Sequence, residues 1–403
     1  MKREVEDSID VISTSTQGGA GIAAVRIAES LNDFGWKVRF LTRDVGVNSP
    51  NGAVEVPARA KNFWEEVFQS FRKRLPWFRP KVYPGNYEKI SFLSTDFAVE
   101  NWLGGRLAHL HWVVDFVDFK RFFEKVEVPV VWTLHDMNPF SGLFHYQNDG
   151  EMNPHLSSLD QSLRIQKKQI IQQFQHPLHI VTPSKWLKQI SEDSPVFQGI
   201  PHSVVHNPVP LDVYFPMEKE LVCQFLGLEP NKRRLLVVAQ SLENRRKGGA
   251  ILEQVCRLLG STEIEVVTIG RKNASLEGVK HIGEISDPRL LAAFYNACDF
   301  MLLTSLEDNL PNTMVESIAC GTPVLGFAVG GVPEILVEKN AGFVAEEVSA
   351  ESMFALIQDA FSSECDFSHL RCLAEEEFNP VIQAKKYVEI YRNVLKESIS
   401  NGS

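Results

Sequence analysis

The sequence predicts an α/β protein made of two Rossmann-like, doubly wound parallel-sheet domains facing a central cleft, and three observations carry that prediction. Short β-rich runs alternate with longer helical patterns, which is the rhythm of βαβ units. The rhythm runs from residue 9 to 184 and restarts at 234, after Asn207-Pro208-Val209-Pro210. At 403 residues the chain is too long for one ordinary core and long enough for two.

In the first half, strands are expected at 9–14, 36–42, 107–112, 128–135 and 179–184, with a helix from Gly21 behind the first of them. Residues 44–105 lack steady periodicity and read as family-specific insertions. Proline, acid and lysine crowd between Pro208 and Pro230, as in a linker. The second half offers strands at 234–240, 263–270, 298–305 and 323–327. Helical apolar spacing closes the chain over 378–397, through Val381, Ala384, Tyr387, Val388, Ile390, Tyr391 and Val394. The expected domains are therefore 1–207 and 208–377, followed by a terminal helical segment, 378–403.

Composition narrows the function classes. A formal net charge of −10 and a pI near 5.6 disfavour a general nucleic-acid binder, because affinity for a phosphate backbone needs clustered Lys and Arg. Six cysteines without a C-x-x-C pair sit mostly in apolar runs, so buried thiols and a reducing compartment are expected. The N-terminus lacks the apolar core of a secretory signal, and no stretch approaches the roughly 20 apolar residues that span a bilayer. A cytoplasmic protein is expected.

One stretch, SLEDNLPNTMVESIACGTPVLGFAVGGVPE at 305–334, compresses a carboxylate-rich loop, a helix start and a glycine turn. Pro311 restricts Leu310 to extended geometry, so a helix should begin at Asn312 or Thr313, with Asn312 as its N-cap and Gly321 as its left-handed stop. Amides at such a helix start favour an anion, and Glu316 one turn on suits a pair of neighbouring hydroxyls such as a ribose presents. Asp308 and Glu316 are separated by seven residues.

Three further segments carry chemistry. Gln17-Gly18-Gly19-Ala20-Gly21 follows the first strand and opens a helix, a place for phosphate. Its spacing is not G-x-G-x-x-G and no acid ends the second strand, which disfavours nicotinamide or flavin. HLHW at 109–112 and TLHDMNPFSGLFHY at 133–146 put four histidines at two strand exits, with no H-E-x-x-H and no cysteine partner for a metal. SLENRRKGG at 241–249 gathers Arg245, Arg246 and Lys247 at the exit of strand 234–240, where cations can stabilise charge on a departing diphosphate.

Inside this acidic chain, residues 61–82 are amphipathic and cationic. Phe63, Trp64, Val67, Phe68 and Phe71 are followed by Arg72-Lys73-Arg74 and Trp77-Phe78-Arg79, a pattern that fits either peripheral contact with an anionic membrane or an insertion helix packed on the first domain.

The segment 305–334 resembles the acidic motif of family 4 glycosyltransferases, in which two carboxylates separated by seven residues precede ACGTPV and a VGG-P-E loop. TLHDMNPFSGLFHY is similar to the TLHDMWPFTG-CHY signature of a bacterial exopolysaccharide subgroup that includes colanic-acid-type transferases. The resemblance covers nearly the whole chain. It implies GT-B architecture, with the nucleotide held mainly by the second domain, the acceptor mainly by the first, and the final helix crossing back. The implied reaction is retaining, metal-independent transfer from a nucleotide-diphosphate sugar to a glycan or lipid-linked acceptor, with no cofactor.

By the same resemblance, Lys247 meets the diphosphate with Arg246 beside it, Asp308 (or Glu307 in its stead) holds sugar hydroxyls, and Glu316 holds the ribose. Gly18, Gly19 and Ala20 approach the donor phosphate or sugar, and His135 lies near C6 of that sugar. Asn309, Leu310, Pro311, Asn312 and Thr313 form the turn and helix mouth over the phosphates. Asp136 orients His135 or meets the acceptor, and His111, His145 and Tyr146 line the same mouth. The chain departs from the pattern at Asp308, where Glu is usual, at Ser241, where a cation is usual, and at Asn138, where Trp is usual. Two rivals stay in play: an epimerase or hydrolase of sugar nucleotides on the same fold, and a non-catalytic binding subunit, which Ser241 and Asp308 keep open.

Overall fold

The computed structural model describes residues 8–46, 49–50, 52–58, 93, 95–260, 262–271, 276 and 278–401. The whole of the cationic stretch 61–82, with the membrane contact expected of it, lies outside the described residues. The chain divides into two compact units. The first comprises Met1–Thr182, Lys188–Val204 and Lys386–Ser403, and the second Pro183–Leu187 with Val205–Lys385.

The first unit holds a sheet of seven strands: β1 (Ser8–Ser15), β2 (Lys37–Asp44), β3 (Val54–Glu55), β4 (Leu107–Leu110), β5 (Val130–Thr133), β6 (Leu178–Thr182) and β7 (His202–Val204). Their order is β3-β2-β1-β4-β5-β6-β7, and each pairing is parallel, for example Ile9↔Val38 and Ile9↔Leu107. The runs LAHL and VVWT are buried throughout, as expected of parallel strands covered on both faces.

The second sheet contains β8 (Arg234–Val238), β9 (Glu265–Ile269), β10 (Val279–Gly283), β11 (Phe300–Leu303), β12 (Val324–Phe327) and β13 (Gly342–Ala345), in the order β10-β9-β8-β11-β12-β13. Strand periodicity divides its core in two. Leu235 and Val237 face one apolar cluster, with the helices Gly249–Leu259 and Ala350–Ser362. Leu236 faces the other, with the helices Pro288–Asn296, Asn312–Ala319 and Leu370–Glu377. Burying each such Leu or Val contributes about 1.5–3 kcal/mol.

Several expected elements shift. The helix behind β1 begins at Gly18, a turn before Gly21, because Gly18 takes φ +72 and turns the chain at once. Between Pro208 and Pro230 the chain is not all linker: Lys219–Leu226 forms a helix that ends on Gly227 at φ +65. Strands β3, β7, β10 and β13 were not expected. The terminal helix, Pro380–Asn401, passes from the second unit into the first at Lys386.

In both sheets the strand order reverses once, between β1 and β4 and between β8 and β11. Strands that diverge there leave a crevice at their carboxyl ends, the usual ligand position in open α/β sheets.

Candidate active site

At the switch point of the second unit, the loops leaving β8 and β11 are stitched together. Asn244 accepts a hydrogen bond from Arg246 N at 3.0 Å and starts the single turn Arg245–Lys247. Thr304 Oγ1 donates to Lys247 O at 2.8 Å, and Leu306 N donates to Arg246 O at 2.7 Å. The approach is close enough that a Cβ on Gly248, at φ +69, would lie 1.9 Å from Thr304 O. The RRK triplet and the acidic loop are thus fixed against each other by backbone contacts.

Their side chains converge on Asp308. Lys247 Nζ donates to Asp308 Oδ2 at 2.6 Å, Arg246 Nη1 lies 3.4 Å from Oδ1, and Ser305 Oγ donates to Oδ2 at 3.2 Å. Burial pushes the Asp308 carboxyl up, but Lys247 and Arg246 outweigh it and hold the group below the usual carboxylate range. Arg246 Nη1 also donates to Glu307 O at 3.1 Å. Glu307, the alternative to Asp308 as the carboxylate facing the sugar, is buried beside it.

Asn309 and Leu310 continue the loop, buried, to Pro311 at φ −62 and ψ 128. Here the structure corrects the expected cap. Pro311 is the N-cap of the helix Asn312–Ala319, and Asn312 is its first residue. Asn312 Oδ1 accepts from Asn207 Nδ2 at 3.0 Å. Proline suits that position because its missing N–H would have no partner inside the helix, and the first-turn amides, among them that of Thr313, point out of the helix end. One turn on, Glu316 is buried, and its Oε2 accepts from Tyr295 OH at 3.1 Å.

The loop is braced from behind. Gly331 N donates to Asn309 O at 2.8 Å, Ser184 Oγ donates to Asn309 Oδ1 at 2.6 Å, and Glu334 accepts from the amides of Lys185 and Trp186. Gly330 sits at φ +56, and an added Cβ would fall 1.6 Å from Asp308 O. Gly330→Ala should therefore cost about 2–3 kcal/mol, from left-handed strain and backbone displacement together. A urea midpoint unchanged from the wild type would contradict this.

The first unit presents its own groups at strand exits. Gly18 and Gly19 follow β1, and a Cβ on either would meet nothing within 4 Å, so protein packing leaves space beside both. His135, after β5, places Nε2 3.0 Å from His111 Nδ1, and their rings stack at 5.3 Å. Asp136 serves other partners than expected. It accepts from His145 Nδ1 at 2.6 Å, Trp112 Nε1 at 3.0 Å and Asn138 N at 3.0 Å, so it fixes the loop around His145. Burial raises the Asp136 carboxyl, yet His145 and these hydrogen bonds prevail and hold it below the usual range.

Asn138 is a structural residue here: buried, with Nδ2 donating to Leu143 O at 3.2 Å. Burial draws the pKa of His135 down to about 4 against the pull of Asp136, and that of His109 to about 3. His111 is pushed well below its ordinary value, by burial first and then by the neighbouring histidines. All three rings are therefore neutral at pH 7.

Residues not singled out for this role complete the support. Lys167 is buried and donates to the carbonyls of Asn138, Ser141 and Gly142 at 2.6, 2.8 and 3.0 Å, tying down the loop after β5. It stands in the buried stripe Asp160, Leu163, Lys167, Ile171, and a lysine at an apolar helix position is the signal that could have revealed it. Tyr391 OH meets His109 Nδ1 at 2.7 Å, while Tyr387 OH meets Thr133 Oγ1 at 2.9 Å, which in turn meets His109 Nε2 at 2.8 Å.

With this geometry in place, similarity to known proteins becomes informative. Residues 232–363, which carry Lys247, Asp308 and Glu316, match the family described as "Glycosyl transferases group 1". The chain carries a group 1 glycosyltransferase domain. Among similar glycosyltransferases, the amylovoran biosynthesis glycosyltransferase AmsK of Erwinia amylovora is 27% identical over 210 residues, covering 43% of this chain and 51% of that one. The N-acetyl-alpha-D-glucosaminyl L-malate synthase of Bacillus anthracis is 22% identical over 209 residues, 48% and 54% of the two chains.

The chain spans about half the length of these relatives. Solved structures extend the likeness in fold to the rest of this glycosyltransferase-domain protein. Sucrose-phosphate synthase from Thermosynechococcus elongatus has a TM-score of 0.72 at 17% identity, covering 98% of this chain and 100% of that one. Anabaena HepE, solved in complex with UDP and glucose, has a TM-score of 0.65 at 15% identity, covering 96% and 100%. Two Rossmann-like parallel-sheet units are the GT-B architecture of these glycosyltransferase neighbours.

The glycosyltransferase domain thus brings together Arg246, Lys247, Glu307, Asp308 and the helix mouth from Asn309 to Thr313, with Glu316 on that helix's first turns. His135 joins His111 in the first unit, and Gly18 and Gly19 flank β1 there. Among the described residues, no helix is long and apolar enough to cross a membrane.

Proposed function

We propose that this protein is a retaining, metal-independent glycosyltransferase that moves a sugar from a nucleotide-diphosphate sugar to a glycan or lipid-linked acceptor in cell-surface or exopolysaccharide biosynthesis. The observation that carries the reading is the convergence of Lys247 and Arg246 on Asp308, beside the mouth of the helix Asn312–Ala319, inside the group 1 domain. Fixed cations and helix amides suit a diphosphate that gathers charge as its bond to C1 breaks. The name of AmsK, which places it in amylovoran biosynthesis, supports the polysaccharide context. The HepE complex with UDP and glucose supports a nucleotide-sugar donor.

In this reading the electron pair of the C1–O bond leaves with the diphosphate, which Lys247 and the amides of Asn312 and Thr313 receive. The acceptor oxygen bonds C1 from the face the diphosphate departs, and its proton passes to a phosphate oxygen. Asp308 or Glu307 orients sugar hydroxyls, Glu316 the ribose and His135 the region of C6, while Gly18 and Gly19 leave room for phosphate. No metal is invoked. The first unit takes the acceptor, and a peripheral position at the inner face of an anionic membrane, through 61–82, accords with a lipid-linked one.

A thermal-shift panel of nucleotide sugars, UDP-glucose among them, tests the donor. A ligand at 100 times its dissociation constant should add about 2.7 kcal/mol of stability. Nucleotide release with and without acceptor, together with the anomeric configuration of the product, then tests transfer and retention. Release that ignores every acceptor would favour a hydrolase, and binding without release a non-catalytic subunit.

A further inference from the structure

The first unit contains a small cavity of about 30 Å³ beside the exits of β4 and β5. Its walls include Trp112, Val114 and Phe119, and its polar lining is His111, Asp115, His135, Asp136, Asn138 and Lys167. The polar groups are nearly all spent on the protein itself. Asp136 accepts three hydrogen bonds, and the three N–H bonds of the Lys167 ammonium go to three carbonyls. The exception is His111. It is 1% exposed, its Nδ1 is taken by His135, and its Nε2 is buried with no hydrogen-bond partner among the described residues.

A buried polar atom without a partner costs about 1–3 kcal/mol, so this nitrogen is a standing demand for one hydrogen bond. The cavity exceeds the ~10–15 Å³ a water needs, and a water there can be displaced by a group that keeps the hydrogen bond to this nitrogen. Whatever fills the space must be small and uncharged, since carboxylates and a lysine share the lining with the apolar walls. It must also tolerate either histidine tautomer. If the proton shared with His135 sits on His111 Nδ1, Nε2 is an acceptor. If it sits on His135, Nε2 is a donor. A hydroxyl serves both cases, whereas a carbonyl or an ammonium serves only one. The Asp136 carboxylate in the lining disfavours an anion.

We propose that His111 Nε2 recognises one hydroxyl of a sugar acceptor, which enters this cavity and replaces a water. The inference rests on the reading of the first unit as the acceptor unit. It makes His111 a determinant of acceptor specificity, distinct from the donor groups of the second unit.

The test uses full-length wild-type protein labelled with ¹⁵N-histidine. The Nε2 resonance of His111 is assigned from its loss in His111→Gln, or in His111→Asn should the first variant not fold. Methyl α-glucoside, α-galactoside and α-mannoside are titrated in without nucleotide, followed by their monodeoxy counterparts. The expected result is a saturable shift of that resonance with at least one glycoside, and about tenfold weaker binding of one deoxy counterpart, the value of a single neutral hydrogen bond. No saturable shift with any glycoside, or equal binding of every deoxy form, overturns it. Donor turnover measured on the same preparation separates the two readings. Turnover with a silent His111 overturns this inference alone, whereas a His111 response without turnover upholds the hydroxyl site and overturns the transferase.

Discussion

Lys247→Ala should lower transfer turnover by roughly 10²–10³-fold, the usual cost of removing one preorganised donor from developing negative charge, while leaving both sheets folded. The structure shows how the ammonium is held ready. Its backbone carbonyl is tied to Thr304, and its Nζ meets Asp308 at 2.6 Å. That contact occupies one of three N–H donors, so a diphosphate can share the ammonium without first breaking the ion pair. The loss should fall mainly on kcat, because the charge to be stabilised appears in the transition state rather than in the bound donor.

Deleting the lysine also leaves Asp308 buried with Arg246 Nη1 at 3.4 Å as its remaining cation, which should cost about 1–2 kcal/mol of stability. Turnover within threefold of wild type, with the fold intact by circular dichroism, would remove Lys247 from the chemistry. A Lys247→Arg variant adds a check on geometry, since a planar fork does not replace a compact ammonium on the same stem. Partial recovery would indicate that charge matters more than shape.

Much of the site was legible because it is local. The order Asp308, Pro311, Glu316, Gly321 fixes a loop, a helix start and a stop within fourteen residues, and backbone rules suffice to place them. The strands were legible for a related reason: a buried parallel strand reads as a continuous apolar run, as VVWT and FMLL do. Strand β10, whose VKHIG is exposed or half-exposed, gave no such signal. The cap was misread because Asn312 has the chemistry of a cap, while Pro311 has the backbone angles of one, and tertiary contact with Asn207 settled where the amide goes.

What stayed hidden depends on pairs distant in sequence. Tyr387 and Tyr391 were read as apolar helix positions, correctly as to face. Nothing in their spacing says that their hydroxyls meet Thr133 and His109, 254 and 282 residues away. Asp136 lies next to His135 in sequence, and adjacency suggested a pair. Alternation along the chain instead sends the carboxylate to His145 and Trp112, and His135 to His111.

That buried histidine set makes the stability of the first unit depend on pH. His109, His111 and His135 have folded pKa values of about 3, well below ordinary, and about 4, against an ordinary value near 6.5. Because each is lowered, the unfolded chain binds more protons between pH 6.5 and 4, and folding stability falls as pH drops through that window. The stability they confer is complete above pH 6.5. Between pH 7 and 5 each ring that stays neutral should cost roughly 2 kcal/mol, on the order of 6 kcal/mol for all three. Asp136 and Asp308 do not add to this window, since lowered carboxylates surrender their contribution only below about pH 4.

Six of the seven tryptophans, at 36, 64, 77, 102, 112 and 132, fall within Met1–Thr182, so urea unfolding followed by tryptophan fluorescence reports mainly on the first unit. Its midpoint should fall steadily from pH 7 to 5. His109→Gln, which keeps a polar group opposite Tyr391 but cannot titrate, should reduce the slope by about one proton. A midpoint that does not move between pH 7 and 5 would mean that these rings are not held neutral, and that solvent reaches the exits of β4 and β5 far more freely than their burial allows.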